Sequence, residues 1–140
     1  TGSLNSLGSI YLRQQKRKQA IEVYRKATEI DPEYAIPFNN LGIALQRSGM
    51  LDEARIALAR AIELDPSNAD TYSTLGIVAV AQQRYDEAVT HFKKAVEIDD
   101  SVPDYHTNLG YALAAWMIVI MVVCMGGYLL LRRRTARWLR

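Results

Sequence analysis

Two histidines, one cysteine and 15 acidic side chains are the groups in this 140-residue chain that could act as bases, nucleophiles or metal ligands. Their spacing supports none of those roles. His91 and His106 are far apart in sequence, and neither sits in a His-Glu-x-x-His pattern. Cys124 is the sole thiol, so it has no partner for a disulfide and matches no Cys-x-x-Cys or zinc spacing. No glycine-rich phosphate loop occurs. The carboxylates are spread singly and in pairs, as solvated helix faces require. The sequence therefore predicts no catalytic residue, no metal site and no cofactor, and places the chain among binding proteins rather than enzymes.

What does recur is apolar and small. Leu-Gly appears at Leu7-Gly8, Leu41-Gly42, Leu75-Gly76 and Leu109-Gly110, each pair 34 residues after the last. Aligned on that pair, with Thr1 as position one, the fourth position holds Leu4, Phe38, Tyr72 and His106, and the eleventh holds Tyr11, Leu45, Ala79 and Leu113. The twentieth holds Ala20, Ala54 and Ala88, the twenty-fourth Tyr24, Leu58 and Phe92, and the twenty-seventh Ala27, Ala61 and Ala95. The thirty-second holds Pro32, Pro66 and Asp100. A period of 20–50 residues is the mark of stacked structural repeats. Mid-helix glycine is unfavourable by about 1 kcal/mol against alanine, so Gly8, Gly42 and Gly76 make sense where a neighbouring helix comes close. Asp31-Pro32 and Asp65-Pro66 end helices, because the residue before proline is driven out of the α region. Ser48-Gly49 ends another with a residue that accepts positive φ. Asp52-Glu53 and Asp86-Glu87 suit helix N-termini.

This pattern resembles the tetratricopeptide repeat, W-x2-L-G-x2-Y…A-x3-F…P, a pair of antiparallel helices per repeat. Repeats 1–34, 35–68 and 69–102 are expected. Residues 103–115 would be the first helix of a fourth repeat and cap the solenoid. Asp100 in place of proline and the small Ala79 are the departures. By the fourth-position rule His106 is expected to pack between helices, whereas His91, beside Phe92, is expected to face solvent. The resemblance implies an all-α solenoid whose first helices line a concave groove. The family's ligand-facing positions fall here on Asn5, Asn39, Ser73 and Thr107 (fifth), Ser9, Ile43, Ile77 and Tyr111 (ninth), and Val80 among the twelfth. The Lys/Asn/Asn/Lys/Arg clamp that some members use for a C-terminal carboxylate maps onto Asn5, Ser9, Asn40, Asp70 and Thr74. Only Asn40 fits, and Asp70 has the wrong sign. An apolar stripe of Ile43, Ile77 and Tyr111, flanked by Asn39 and Ser73, suits a peptide or helix with apolar anchors instead.

The fourth repeat does not finish. No charged residue lies between Asp104 and Arg132, and the apolar run 112–131 has 20 residues. A helix of that length rises about 30 Å, the thickness of a hydrocarbon core. Trp116, Tyr128 and Trp138 suit interfacial anchoring. Arg132, Arg133 and Arg134 open the basic tail 132–140, which would meet anionic lipid headgroups. The formal net charge of +2 is split. Residues 1–131 carry 12 Lys and Arg against all 15 acids, a net −3, and the tail carries +5. The overall basicity is thus no sign of nucleic-acid binding. The Lys/Arg bias predicts a cytoplasmic tail and repeats on the exoplasmic side, as in a bacterial inner-membrane protein with periplasmic repeats. The competing topology is a tail anchor with cytosolic repeats, since a short basic tail after a modest span resembles mitochondrial outer-membrane anchors. Two functions follow. One is a membrane-anchored interaction scaffold, an accessory or assembly subunit whose partners are integral membrane proteins. The other is a tail-anchored adaptor or receptor that recruits soluble proteins. In either case one unbroken helix of about 30 residues, about 45 Å long, is expected to join cap to anchor.

Overall fold

The structure, a computed structural model, describes residues 2–138, with side chains through residue 134. Seven helices and no strand occur among the described residues: α1 Gly2–Arg13, α2 Arg17–Ile30, α3 Ala35–Arg47, α4 Leu51–Leu64, α5 Ala69–Ala81, α6 Tyr85–Ile98 and α7 Pro103–Trp138. Two kinds of turn alternate between them, and each repeats in chemistry.

The turn inside each hairpin is built on a left-handed residue at the same repeat position: Gln15 (φ 58°), Gly49 (φ 78°) and Gln83 (φ 61°). The amide after it reaches back five residues, from Lys16 to the Tyr11 carbonyl, Met50 to Leu45 and Arg84 to Ala79, at 2.8–3.0 Å. This is the Schellman arrangement that satisfies the free carbonyls at a helix end. Glycine fills the left-handed site in one repeat only. The two glutamines accept a strain of about 1–2 kcal/mol, which the caps and the packing around them offset.

The second and third turns between hairpins are held by aspartate side chains. Asp65 Oδ1 accepts from the Ser67 amide (3.0 Å) and hydroxyl (2.6 Å), and Asp99 accepts from Ser101 in the same way. These bonds favour the charged form, so both carboxyls titrate below the ordinary aspartate value. They also explain why Asp100 can stand where proline stands elsewhere. Asp99 keeps the extended backbone that Asp65 has before Pro66.

Each hairpin closes on its glycine. A Cβ added to Gly8 would stand 2.5 Å from the Tyr24 ring, one on Gly42 2.4 Å from Leu58, and one on Gly76 2.5 Å from the Phe92 ring. Tyr24, Leu58 and Phe92 are buried there, and Ala20, Ala54, Ala88, Ala27, Ala61 and Ala95 complete the close faces of the second helices. Helices pack on their neighbours in sequence, and the first helices α1, α3, α5 and α7 also touch in order. That arrangement is the quasi-one-dimensional layering of a solenoid, with the first helices as the inner layer.

α7 begins as the first helix of a fourth unit. Ala112 and Leu109 pack with Ala79, Ala88, Val89 and Phe92, and Tyr105 is buried with Ala69 and Ala95. Without a break it then continues for 36 residues in all, about 54 Å. Every residue from 117 to 134 is exposed. The helix is long and apolar enough to cross a membrane, and the apolar part is not buried inside the chain.

Both histidine expectations are corrected. His106 is exposed, its Nε2 3.1 Å from the Asp100 carbonyl. Leu4, Phe38 and Tyr72 at that position are half-buried, in units that have a second helix. Among the described residues the fourth unit has none, so no second helix covers His106. His91, expected in solvent, is half-buried, and desolvation moves its pKa below the ordinary 6.5. Its repeat position holds Val23 and Ala57, half-buried and buried, a pattern that predicts its burial better than its neighbour Phe92 does.

Candidate functional site

The inner layer brings the predicted groove residues onto one surface but treats them unequally. At the fifth position Asn5 and Asn39 are half-buried, Ser73 is buried and Thr107 is exposed. At the ninth, Ser9 and Ile43 are half-buried, Ile77 is 39% exposed and Tyr111 73%. Val80, at the twelfth, is 37% exposed. At the ninth position the groove therefore opens toward α7, and its apolar members Ile43, Ile77 and Tyr111 become more available in that direction.

Its polar members divide by whether they are already engaged. Ser9 Oγ lies 3.1 Å from the Tyr24 hydroxyl, so it serves the buried tyrosine that fills the Gly8 notch. The Asn5 and Asn39 side-chain oxygens are buried and make no hydrogen bond within the chain. Two such acceptors recur at one repeat position, each closed off from solvent, and a buried polar atom without a partner is unfavourable by about 1–3 kcal/mol. Asp70, at the clamp position, accepts a 2.6 Å hydrogen bond from Tyr105 Oη. It is thereby tied to the first turn of α7.

Two other surfaces were not anticipated from the sequence. A hollow of about 580 Å³ lies among α2, α3 and α4, floored by Phe38, Leu41 and Leu45 and rimmed by Arg25, Glu53 and Ile56. Ile56 is 66% exposed. The signal was available: the same repeat position holds Glu22 and Thr90, so an apolar residue there is out of pattern. A second hollow, about 470 Å³, collects Arg13, Arg17 and Arg47 with Gln15 and Leu12. Arg13 and Arg47 stand at the C-terminal ends of α1 and α3, where cations offset the helix dipole.

Along α7, Trp116 is half-buried and Tyr128 is 64% exposed. Arg132, Arg133 and Arg134 are exposed, and Arg133 lines a shallow hollow with Gly126, Leu129 and Leu130. The Trp138 side chain lies outside the described residues. Among the described residues no three His, Cys, Asp or Glu side chains gather as a metal site.

Comparison with known proteins agrees with this geometry. A family model described as TPR repeat matches residues 8–49, and one described as Tetratricopeptide repeat matches residues 35–101. No curated protein matches the chain. Among solved structures, the chain is similar to the Sgt2 TPR domain from Aspergillus fumigatus, at 21% identity and TM-score 0.82, covering 86% of this chain and 81% of that one. It is similar to the first TPR of Spaghetti (RPAP3) bound to the HSP90 peptide SRMEEVD, at 24% identity and TM-score 0.80, covering 82% and 91%. It is also similar to MamA, at 29% identity and TM-score 0.75, covering 79% of this chain and 65% of that one.

Proposed function

The chain belongs to the tetratricopeptide-repeat family, and from that premise we propose that it is a non-enzymatic, membrane-anchored protein-interaction scaffold, an accessory or assembly subunit of a larger membrane complex. One observation carries the reading: the helix that closes the groove is the helix that runs on as the apolar segment, with no break from Pro103 to Trp138. A freely swinging recruiter needs a linker at that point, and none is present. Exposing a large apolar side chain rather than burying it is unfavourable by roughly 1.5–3 kcal/mol. From Met117 to Leu131 the sum is on the order of tens of kcal/mol, which a bilayer removes.

In this reading residues 1–34, 35–68 and 69–102 are the three repeats, 103–115 caps them, 112–131 crosses the membrane and 132–140 meets headgroups. Trp116, Tyr128, Trp138 and Arg132–Arg134 set the depth, with the tail cytoplasmic and the repeats exoplasmic. The groove takes an apolar-anchored segment on Ile43, Ile77 and Tyr111, flanked by Asn39 and Ser73. The RPAP3 domain holds a peptide ending in Glu-Glu-Val-Asp. Here the Asp70 carboxylate stands at a clamp position and disfavours an acidic C-terminus, so the partners are of a different kind. The tail-anchored alternative rests on a short basic tail after a modest span.

The test is purification of the full chain from native membranes. Integral membrane proteins are expected in stoichiometric amounts, and an Ile43→Asp, Ile77→Asp variant is expected to lose them. Recovery of soluble partners alone overturns the subunit reading. Topology is read separately from a Lys93→Cys variant in a Cys124→Ser background. Labelling of intact spheroplasts by a membrane-impermeant maleimide is expected, and protection from it favours cytosolic repeats.

A further inference from the structure

The fourth unit is a first helix without its second. In the three complete hairpins, the stripe at repeat positions four, eight and eleven is covered by the partner helix. Leu4, Phe38 and Tyr72 are half-buried, Gly8, Gly42 and Gly76 are buried, and Leu45 and Ala79 are nearly inaccessible. On α7 the same stripe is open. His106 and Gly110 are exposed, Leu113 is 38% exposed, and a Cβ placed on Gly110 would meet nothing within 4 Å. Tyr111 and Met117 flank it, 73% and 68% exposed.

The occupant's chemistry is written three times in the chain. Each helix that fills such a notch carries a small residue, then four positions on a large apolar one, then three positions on another small one: Ala20-Tyr24-Ala27, Ala54-Leu58-Ala61 and Ala88-Phe92-Ala95. The large residue always lies over the glycine. All nine of these side chains are already buried, so a second copy of this chain has no free helix of that pattern above the apolar run to offer.

We propose that the Gly110 face of α7 seats a helix supplied by a partner protein, antiparallel to α7, completing the fourth repeat in trans. That helix bears Ala-x3-Phe/Tyr/Leu-x2-Ala, with its large side chain over Gly110. The face continues the solenoid interface by one more layer. Because the stripe ends at Met117, where α7 becomes exposed on every side, the occupant is a juxtamembrane helix of an integral membrane protein. This last clause rests on the membrane reading above; the seat itself does not.

The test uses the full chain in lipid nanodiscs and in detergent micelles, with a fluorescent, stapled synthetic peptide of the α6 sequence, residues 85–98, as the probe. Saturable binding is expected in both. Gly110→Leu fills an open space, so the fold should survive it, as circular dichroism will show, while affinity falls about tenfold or more. A probe with alanine in place of its phenylalanine should fall as far. Equal binding to the Gly110→Leu chain overturns the proposal. So does loss of binding in the Ile77→Asp chain but not in Gly110→Leu, which would place the peptide in the groove. So does a dimer of the wild-type chain that Gly110→Leu abolishes, because then the occupant is a second copy. Failure of the membrane reading shows as recovery of the full chain in the soluble fraction rather than in native membranes, and leaves binding in micelles unaffected.

Discussion

Gly76→Ala gives the sharpest test of why this sequence repeats as it does. In an exposed helix interior the substitution stabilises by about 1 kcal/mol, since alanine is the better helix former. At Gly76 the new Cβ would stand 2.5, 2.7 and 2.7 Å from three atoms of the Phe92 ring, against an optimal carbon–carbon separation of about 3.5–4.0 Å. Phe92 is 2% exposed and sits among Ala79, Ala88, Val89 and Ala112, so the ring has no space into which it can retreat. Overpacking of a tight core is unfavourable by about 1–3 kcal/mol; an overlap of about 1 Å with a rigid ring belongs at the upper end. The net expectation is destabilisation of repeat 3 by about 2 kcal/mol. Gly110→Ala, the same chemical change at the same repeat position, should stabilise by about 0.5–1 kcal/mol, because nothing lies over it. Native-state hydrogen exchange of α5 and α6 reads the first, and that of α7 near Gly110 the second. A double-mutant cycle with Phe92→Ala adds a control. Removing the ring should be less damaging by about 3 kcal/mol in the Gly76→Ala background than in the wild type, since the clash disappears while the helix-propensity gain remains. If Gly76→Ala is neutral or stabilising, the glycine notch is not what fixes the hairpin spacing, and the account of the Leu-Gly period fails.

Two further outcomes are expected. Desolvation holds the half-buried His91 below its ordinary pKa of 6.5, so the unfolded chain takes up the proton first. The stability due to neutral His91 is fully present above 6.5 and declines as the pH falls from there to the folded value; the slope of thermal stability against pH in that window should flatten in His91→Gln, and an unchanged slope refutes the assignment. Tyr105→Phe removes the 2.6 Å bond to Asp70, which ties α7 to α5; since the carboxylate side is exposed, a loss of about 1 kcal/mol is expected, read as faster exchange in the first turns of α7.

The seven helices were legible because the determinants are local and repeated. Leu-Gly, the paired alanines and Asp-Pro each mark one face or one end, and three copies reinforce the register. The left-handed turns were legible only at Gly49; Gln15 and Gln83 carry no compositional sign of positive φ, and only the matching position in the repeat reveals them. Groove membership was legible as a list of positions but not as degrees of exposure. At the fifth position Ser73 is buried and Thr107 is open because α5 has neighbours on both sides and α7 has them on one. His106 went wrong for the same reason. A repeat position predicts burial only when the helix that would bury it is present, and that is a property of the whole array rather than of the residue.

The start of the apolar segment follows the same logic. By composition it begins at Ala112, but Ala112 is 1% exposed and packs in the last core, while Trp116 is half-buried. The run that is exposed throughout is 117–131, which rises about 22 Å, against about 30 Å for a hydrocarbon core. Under the proposed function, a span this short is matched by local thinning of the bilayer or by long side chains reaching to the interface. Arg132–Arg134 can extend their stems in that way on one side. On the other side only the outer face of α7, with Leu113 and Ala114, remains to enter the apolar region, because the inner face is occupied by α5 and α6. Under the proposed function the last repeat is therefore drawn down against the headgroups rather than held above them. The open Gly110 stripe then lies at the membrane surface, where a helix emerging from a neighbouring membrane protein would first meet it.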